Sequence, residues 1–368
     1  MWFQNRFKKH FYMENSEKNC TNQYDKPKKT SIIVCARNEE KHIENVLKAL
    51  LNQDCDFSLV EIIIANDQST DNTESIIRKY SDNYDFIKTF QVLDRDATLS
   101  PKKNALKQAI KVSTGEIILL TDADCIPSPS WLKSHIEIYE SYPMTEMVVG
   151  FTKTILENDN IAIPLCSIFE HMDFLILMFA AQGAIQSGKP FSCSGQNLSY
   201  LKKSFDEVSA FDEIEHYISG DDLLLMQKFV KKGKIIKFAA FKDAYTETVS
   251  LNSWRKLINQ RARWASNFKA MYRINLHFFV YLLACFMCLG LMPFLIPLYI
   301  LKIMFDERFI KFALSQWNLD DMIFKKKYSI FGVKFNYLQC WYILCPFYIL
   351  TVTTLGMFSV FKWKDRRG

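Results

Sequence analysis

The segment Glu116-Ile-Ile-Leu-Leu-Thr-Asp-Ala-Asp124 changes from apolar to acidic within a few residues, and it is the strongest indication of the fold. A short apolar run of this kind is typical of a strand that is buried in a sheet. When such a sheet is open and parallel, its ligands bind beyond the carboxyl ends of the strands. The carboxylates of Asp122 and Asp124 are therefore expected at a ligand-binding edge.

The chain before this stretch alternates between strand and helix patterns. We expect strands at about residues 31–36, 60–65, 86–93 and 116–121, with helices from Ile43 to Leu51 and from Pro101 to Val112. This alternation predicts an α/β domain with a parallel, mostly buried sheet and helices on both faces. Asp67 follows the second strand as Asp122 follows the fourth, so both should lie at the same edge.

Apolar residues make up 49% of the 368 positions, and they accumulate towards the C-terminus. Two runs, about 276–301 and 338–361, are long enough to cross a bilayer, for which ~20 residues suffice. Two crossings would place both chain ends in the cytoplasm, although the intervening Lys325–Lys327 also favour the cytoplasmic side. Gly290 and Pro293 could instead break the first run into a re-entrant hairpin, so the topology stays open.

The other features of the composition limit which cellular compartment and which binding partners we expect. The net charge of +6 is too small for a nucleic-acid protein, and no nucleic-acid partner is expected, whereas basic residues beside the apolar runs suit membrane lipid. Residues 1–29 form a polar leader without the apolar segment of a signal peptide. The scattered cysteines suit buried thiols in a reducing compartment. We therefore expect a multi-pass protein of the cell membrane whose catalytic domain is cytoplasmic.

Two acidic elements are candidates for chemistry. Asp122-Ala-Asp124 could hold Mg²⁺ or Mn²⁺, since these cations prefer hard oxygen ligands shared with substrate phosphates, or it could be a solvated turn. Gly220-Asp221-Asp222-Leu223 precedes a predicted helix. One of its carboxylates could remove a proton from an attacking hydroxyl, or both could serve only to cap the helix.

A third element, Gln260-Arg-Ala-Arg263-Trp264, lies on a basic helix predicted for residues 251–273. Gln260, Arg263 and Trp264 are three and four residues apart, so they share one helix face. Arginine can bind a diphosphate with two hydrogen bonds, and tryptophan offers a sugar a flat apolar surface. Taken alone, the element could equally be a juxtamembrane anchor.

Together these elements resemble family 2 glycosyltransferases, which are inverting enzymes of the GT-A (Rossmann-like) fold. The resemblance covers about residues 30–275 and is specific, because separate motifs occur in the expected order. It implies a nucleotide-sugar-binding catalytic domain at 30–275, followed by C-terminal transmembrane helices within 276–368.

The resemblance also implies roles for individual residues. The donor-binding set comprises Ala36, Asn38, Glu39, Asp67, Lys102, Lys103, Asp122 and Arg263. Within it, either Lys102 or Lys103 corresponds to the lysine near the diphosphate. The metal ligands would be Asp124, as the more direct one, and Asp122.

The same resemblance makes Asp222 the general base. The acceptor-binding set comprises Cys193, Gly195, Asn197, Gln260 and Trp264. Two departures stand out: Gly220-Asp221 replaces the Thr-Glu that precedes the base in the family, and the few predicted membrane spans could not enclose a channel in a monomer.

The expected function is therefore the inverting transfer of a sugar from a nucleotide-sugar donor, a UDP-sugar in particular, to a hydroxyl. The acceptor would be a glycan or a lipid-linked glycan at the cytoplasmic membrane face. One alternative is transfer to a polyprenyl phosphate, whose anionic oxygen needs little base catalysis. Another is a non-catalytic membrane scaffold that binds nucleotide.

Overall fold

The computed structural model describes residues 28–93, 99–156, 163–241, 244–291, 307–308, 310–311, 315, 327–330, 333–363 and 366–367. The chain divides into two compact units, one comprising Met1–Thr152 and Ala180–Thr248 and the other Lys153–Phe179 and Val249–Gly368. The polar leader predicted for residues 1–29 lies outside the described residues, apart from Lys28 and Lys29. The predicted boundary between the catalytic domain and the membrane region, at residues 275 and 276, stays a prediction.

The strands that form the large sheet are β1 (Thr30–Ala36), β2 (Val60–Asn66), β3 (Ile87–Gln91), β4 (Ile117–Asp122), β5 (Cys125–Pro127), β6 (Met147–Ile155), β7 (Leu198–Leu201), β8 (Ile236–Ala239) and β9 (Tyr245–Val249). Two short hairpins follow, β10 (Lys327–Ile330) with β11 (Val333–Asn336), and β12 (Lys362–Trp363) with β13 (Arg366–Arg367).

The helices are α1 (Ile43–Leu51), α2 (Thr73–Ser81), α3 (Pro101–Val112), α4 (Trp131–Ser141), α5 (Leu165–Gln186), α6 (Lys202–Glu207), α7 (Leu223–Lys231), α8 (Trp254–Ala265), α9 (Phe268–Ile274), α10 (Leu276–Leu291) and α11 (Tyr337–Met357).

The prediction of a parallel sheet is correct for the first four strands and wrong for the sheet as a whole. The strand order is β3-β2-β1-β4-β7-β6-β9-β5, with β8 beside β6. Strands β1 to β4 pair in parallel, whereas β7 is antiparallel to both β4 and β6, so the sheet is mixed. The run from Phe191 to Tyr200 showed a strand-and-loop pattern but carried no signal of its direction, because direction depends on the distant partner strand.

The core of the first unit forms where apolar strands meet amphipathic helices. Alternate β1 residues Ile32 and Val34 are fully buried against Val46 and Leu50 of α1. Both faces of β2 are buried along its whole length, as expected for an inner parallel strand. This packing fixes the ends of β1 and β2, and therefore the loops that follow them.

The second unit contains the predicted basic helix, which is broken in two. Helix α8 ends at Ala265 and α9 begins at Phe268, so the single helix predicted for 251–273 is wrong. The Ser266 hydroxyl donates to the carbonyl of Arg263 at 2.7 Å. A serine hydroxyl competes for backbone hydrogen bonds in this way, and the interruption of the helix falls at this residue.

The two predicted membrane runs are helical over most of their described residues. The run at 276–301 begins as α10, and its residues 292–301 lie outside the described residues. The run at 338–361 corresponds to α11, which starts one residue earlier at Tyr337 and ends at Met357. Asn336 and Gln339 form a reciprocal cap at its start, which fixes that boundary.

By length and composition, α5 and α11 are the two helices among the described residues that could cross a membrane. This criterion also admits core helices, and 83% of the apolar window of α5 is buried within the protein, against 39% for α11.

Candidate active site

The ends of β1, β2 and β4 lie side by side in the first unit. Cys35 is in register with Asp122 of β4, and Ala36 is in register with Asn66 of β2. Because the three strands are parallel, the residues that follow them emerge at one edge. Asp67 and Asp122 are therefore at the position that the strand pattern predicts for them.

The loops after β1 and β2 are joined by side chains. The guanidinium of Arg37 donates to the carbonyl oxygen of Asp67 at 3.1 Å and lies 3.4 Å from its carboxylate. Asn38 has a positive φ of 53°, and its side-chain oxygen accepts from the N–H of Thr70 at 2.8 Å. The N–H of Glu39 donates to the Thr73 hydroxyl at 2.8 Å. Four predicted donor-site residues, among them Ala36, thus share one rigid loop pair.

Lys102 lies between two carboxylates of the site. Its ammonium group is 2.8 Å from Asp122 Oδ1 and 3.0 Å from Asp221 Oδ2. Burial alone would lower the pKa of Lys102, but the negative charges of Asp122 and Asp221 outweigh burial and raise the pKa well above its ordinary value. A permanent positive charge therefore stands at the strand edge.

Lys103 has a different environment, and this separates the two lysines that the sequence left as alternatives. Its side chain is fully buried, and its ammonium group donates to the carbonyl oxygens of Tyr217 and Ser219, the latter at 2.8 Å. These carbonyls belong to the segment that leads into Asp221. Lys103 therefore fixes that segment, while Lys102 is the lysine among the carboxylates.

Asp122, Asp124 and Cys125 could hold a metal ion. Their ligand atoms all lie within 4.8 Å of one another, with Asp122 half-buried, Asp124 exposed and Cys125 buried. Burial, followed by the charges of Asp124 and Asp122, raises the pKa of the Cys125 thiol well above its ordinary value. Mg²⁺ and Mn²⁺ prefer hard oxygen ligands, so the carboxylates of Asp122 and Asp124 are the groups of this cluster that fit either ion.

Asp222 caps α7 and also faces the loop before β7. Its Oδ1 accepts from the N–H of Leu223 at 2.5 Å and its Oδ2 accepts from the N–H of Gly195 at 2.9 Å. Burial, and then the charge of Asp221, raises the pKa of Asp222 above the usual range. Capping and base catalysis are thus compatible, because a higher pKa makes the carboxylate a stronger proton acceptor.

The structure explains why glycine stands before this acidic pair. Gly220 has a positive φ of 87°, and a Cβ at this position would lie 2.4 Å from Leu224 Cγ. Threonine, which the resemblance predicts here, would be strained in both respects. The departure from the family pattern is therefore tied to the local path of this chain.

The predicted acceptor residues of the first unit differ in accessibility. Asn197 has no exposed area, and its side-chain oxygen accepts from the indole N–H of Trp131 at 2.9 Å and lies 2.7 Å from His135 Nε2. In this conformation Asn197 supports the loop and has no surface for an acceptor. Gly195 borders the acidic pair, since its N–H donates to Asp222 Oδ2, and Cys193 lies two residues earlier in the same loop. Burial, followed by the charges of Asp222 and Asp221, raises the pKa of the Cys193 thiol well above its ordinary value.

The remaining predicted residues lie on α8 in the second unit. Gln260, Arg263 and Trp264 are all half-buried, whereas the intervening Arg261 is only 4% exposed. Sequence reasoning gave no role to Arg37 or Arg261, and it named Asp221 only as one of two candidate carboxylates. Arg37 lies between the predicted residues Ala36 and Asn38, so adjacency was the available signal, but nothing local distinguishes Arg261 from Arg263.

A comparison with solved structures supports the fold. The chain is similar to a mannosyltransferase from Pyrobaculum calidifontis, solved with GDP-mannose and Mn²⁺, with a TM-score of 0.60 and 15% identity over 97% of this chain and 96% of the other. At this identity the likeness concerns the fold alone. The architecture is a GT-A-type α/β fold with a mixed sheet.

The sequence comparisons then bear on the family. Residues 31–209 match the model described as Glycosyl transferase family 2, which supports the family 2 glycosyltransferase that the motifs predict. It is 28% identical over 238 residues to a probable glycosyltransferase, YdaM, of Bacillus subtilis, covering 64% of this chain and 54% of the relative. It is 22% identical over 190 residues to the glycosyltransferase AglE of Haloferax volcanii, covering 48% and 61%. The chain thus spans little more than half the length of these relatives.

Proposed function

We propose that this protein is an inverting glycosyltransferase that moves a sugar, with a UDP-sugar as donor, to a hydroxyl of a glycan or lipid-linked glycan at the cytoplasmic face of the membrane. The observation that carries the proposal is the convergence of Asp67, Lys102, Asp122, Asp124 and Asp222 within one unit of a family 2 fold. These side chains supply the groups that the transfer of a sugar from a nucleoside diphosphate requires.

The loops after β1 and β2 are the proposed nucleoside site. Asp67 is 5% exposed and is held by Arg37, and Asn38 and Glu39 are fixed by bonds to the opposite loop. A preformed arrangement of acceptor and donor atoms favours nucleoside binding, because little conformational freedom is lost on binding. The ammonium group of Lys102 would bind the diphosphate, which is anionic.

In the proposed reaction, the acceptor hydroxyl attacks the anomeric carbon of the donor from the face opposite the nucleotide. As the new bond forms, the bond between that carbon and the diphosphate oxygen breaks, and the configuration is inverted. Asp222 takes the proton of the hydroxyl, a step that contributes about 10²–10⁴ in rate. The N–H groups of Gly195 and Leu223 hold its carboxylate in place.

Asp124 and Asp122 are the residues proposed to hold Mg²⁺ or Mn²⁺. When bound, the cation would neutralise charge on the departing diphosphate. Lys102 already contacts Asp122, so it adds positive charge beside the same carboxylate. Arg263, Gln260 and Trp264 of α8 are proposed to act on the diphosphate and the acceptor.

Membrane association is supported by the surfaces of α10 and α11. Leu276, Val280 and Leu283 are spaced at helical intervals on α10 and are 43–54% exposed, and Phe347 of α11 is 72% exposed. The sequence from 248 to 305 contains no Asp or Glu. An apolar face in an acid-free, basic segment suits a bilayer with anionic headgroups.

The proposed function is tested by nucleotide release from purified protein with a panel of UDP- and GDP-sugars and Mn²⁺, Mg²⁺ or EDTA. We expect metal-dependent release from one donor, with loss of release in Asp124→Asn. Exposed Asp85→Asn is the control and should behave as wild type. No release and no metal-dependent nucleotide binding would overturn the proposal in favour of a scaffold.

The membrane proposal has its own test. The protein should float with phosphatidylcholine vesicles that contain phosphatidylglycerol, and Phe347→Asp should weaken this flotation. Equal flotation of the two proteins would contradict a role for α11 in lipid contact.

A further inference from the structure

Arg261 is a buried charge to which the proposed reaction assigns no role. It is 4% exposed, and its Nε donates to Asp173 Oδ2 at 3.1 Å. Its Nη2 also lies 4.0 Å from Glu170 Oε1. Both acids belong to α5, so a charged side chain of α8 is clamped by two carboxylates of another helix.

The same guanidinium also contacts two of the three predicted motif residues of α8. Its Nη1 donates to Gln260 Oε1 at 2.7 Å, and its Cζ lies 4.0 Å from the centre of the Trp264 ring. Arginine can only donate, so the atom of Gln260 that faces it must be the carbonyl oxygen. The amide NH₂ of Gln260 is then the group left for another partner, and one face of the indole is covered by the cation.

We infer that Arg261 is a positioning residue for the acceptor. It fixes the amide of Gln260 as a hydrogen-bond donor and holds the Trp264 ring in place as an apolar platform. The inference rests on the proposed function, in which Gln260 and Trp264 contact the acceptor. Arg261 acts through these two side chains and touches no reacting atom itself.

Asp173, one of the two carboxylates that hold Arg261, is itself held by other side chains. Asp173 accepts from the indole N–H of Trp341 at 3.4 Å and from the hydroxyl of Tyr348 at 3.2 Å, both on α11. Phe174 lies on the other side of the cluster, with its ring centre 5.6 Å from the guanidinium and 6.3 Å from that of Trp264. Rotation of Arg261 would therefore break several contacts at once.

Lysine at this position separates positioning from charge compensation. Arg261→Lys keeps a positive charge between Asp173 and Glu170, but an ammonium group has no planar fork that can bond Gln260 while stacking on an indole. A purely structural arginine should tolerate this change with respect to catalysis. A positioning arginine should not, even where the protein stays folded.

The experiment compares Arg261→Lys, Arg261→Gln and, as the matched control on the exposed side of α8, Arg255→Gln. Radiolabelled donor is supplied with membranes of the producing cells as acceptor. For Arg261→Lys we expect an acceptor KM raised about tenfold, equivalent to ~1.4 kcal/mol, with donor KM and melting temperature unchanged. Arg255→Gln should match wild type throughout. An unchanged acceptor KM, or a rise fully explained by unfolding, would overturn the inference.

A second readout keeps this test separate from the proposed function. If the wild type neither releases nucleotide from any donor nor binds nucleotide in a metal-dependent way, the proposed function fails, and acrylamide quenching of Trp264 then decides the inference. The Trp264 signal is obtained as the difference between each protein and its Trp264→Phe derivative. Greater quenching in Arg261→Lys than in wild type supports positioning, and equal quenching refutes it.

Discussion

Carboxylates in the two units are held in different ways. In the first unit, Asp122 and Asp222 stand at the end of β4 and the start of α7, where both are half-buried. In the second unit, Glu170 and Asp173 lie within α5, are 4% and 6% exposed, and are paired with Arg261. Asp122 and Asp222 thus keep surface for a ligand, whereas Glu170 and Asp173 are used in holding helices together.

This difference between the carboxylates of the two units shows how acidic residues in an apolar sequence can be interpreted. A carboxylate at a strand end is positioned by the backbone of that strand, so its place at the edge of the sheet follows from the local pattern. A carboxylate in the middle of an apolar helix must find a distant cation, because an unpaired buried charge is very costly. The first kind predicts function, and the second predicts a long-range ion pair.

Among the variants that test this comparison, Asp222→Asn is expected to have the largest effect. The amide cannot take a proton, so kcat should fall about 10²–10⁴-fold while the melting temperature stays near that of wild type. Steady-state turnover and thermal unfolding measure the two effects. Normal turnover in this variant would contradict the base assignment and would point to an acceptor that is already an anion.

Asp173→Asn, in contrast, should act mainly on the stability of the protein. Removing one carboxylate leaves the buried Arg261 with Glu170 alone, and the free energy of unfolding should fall by about 3 kcal/mol. Urea unfolding measures this loss, with the exposed Asp85→Asn as control. If Asp173→Asn proved as stable as the control, the buried pair would not be what holds these helices.

Substitutions of Lys102 and Lys103 should likewise differ in their main effect, which is on donor binding for Lys102 and on stability for Lys103. Lys103→Met leaves the carbonyls of Tyr217 and Ser219 without that donor, which should lower the free energy of unfolding by about 2 kcal/mol. Lys102→Met should raise the donor KM about tenfold, because a charged partner of the diphosphate is lost, whereas Lys103→Met should not change it directly. Unfolding curves and donor kinetics on both variants would show a reversal if the roles were exchanged.

The smallest effect concerns a structural carboxylate of the first unit. Burial alone would raise the pKa of Glu61, but bonds from Lys88, Ser31 and Thr114 outweigh burial and lower the pKa to about 2. The stability that this ionised carboxylate contributes is therefore complete above its unfolded pKa, and is lost as the pH falls from there through about 2.

Glu61→Gln should accordingly lower the free energy of unfolding at pH 7 by about 1–2 kcal/mol. The gap to wild type should narrow as the pH is lowered towards 2, and urea unfolding at several pH values measures it. A gap that stays constant with pH would mean that the charge of Glu61 contributes nothing to stability.

The sequence by itself determined the first four strands, their parallel pairing and the acidic residues at their ends. These features depend on the polarity of neighbouring residues and on where an apolar run stops. Both can be recognised within a short segment of the sequence. The motifs also predicted the resemblance to family 2 glycosyltransferases that the match over residues 31–209 supports. The position of Asp222 before a helix was equally readable, because helix starts carry their own signals.

Only the tertiary structure decided which lysine lies among the carboxylates, that β7 runs antiparallel, and that Arg261 is the buried arginine of α8. Lys102 and Lys103 are adjacent and chemically identical, so only the distant partners Asp221 and Ser219 distinguish them. Likewise, Arg261 differs from Arg263 through Asp173, 88 positions away in the chain. Contacts of such sequence separation arise from packing between elements, which no local pattern encodes.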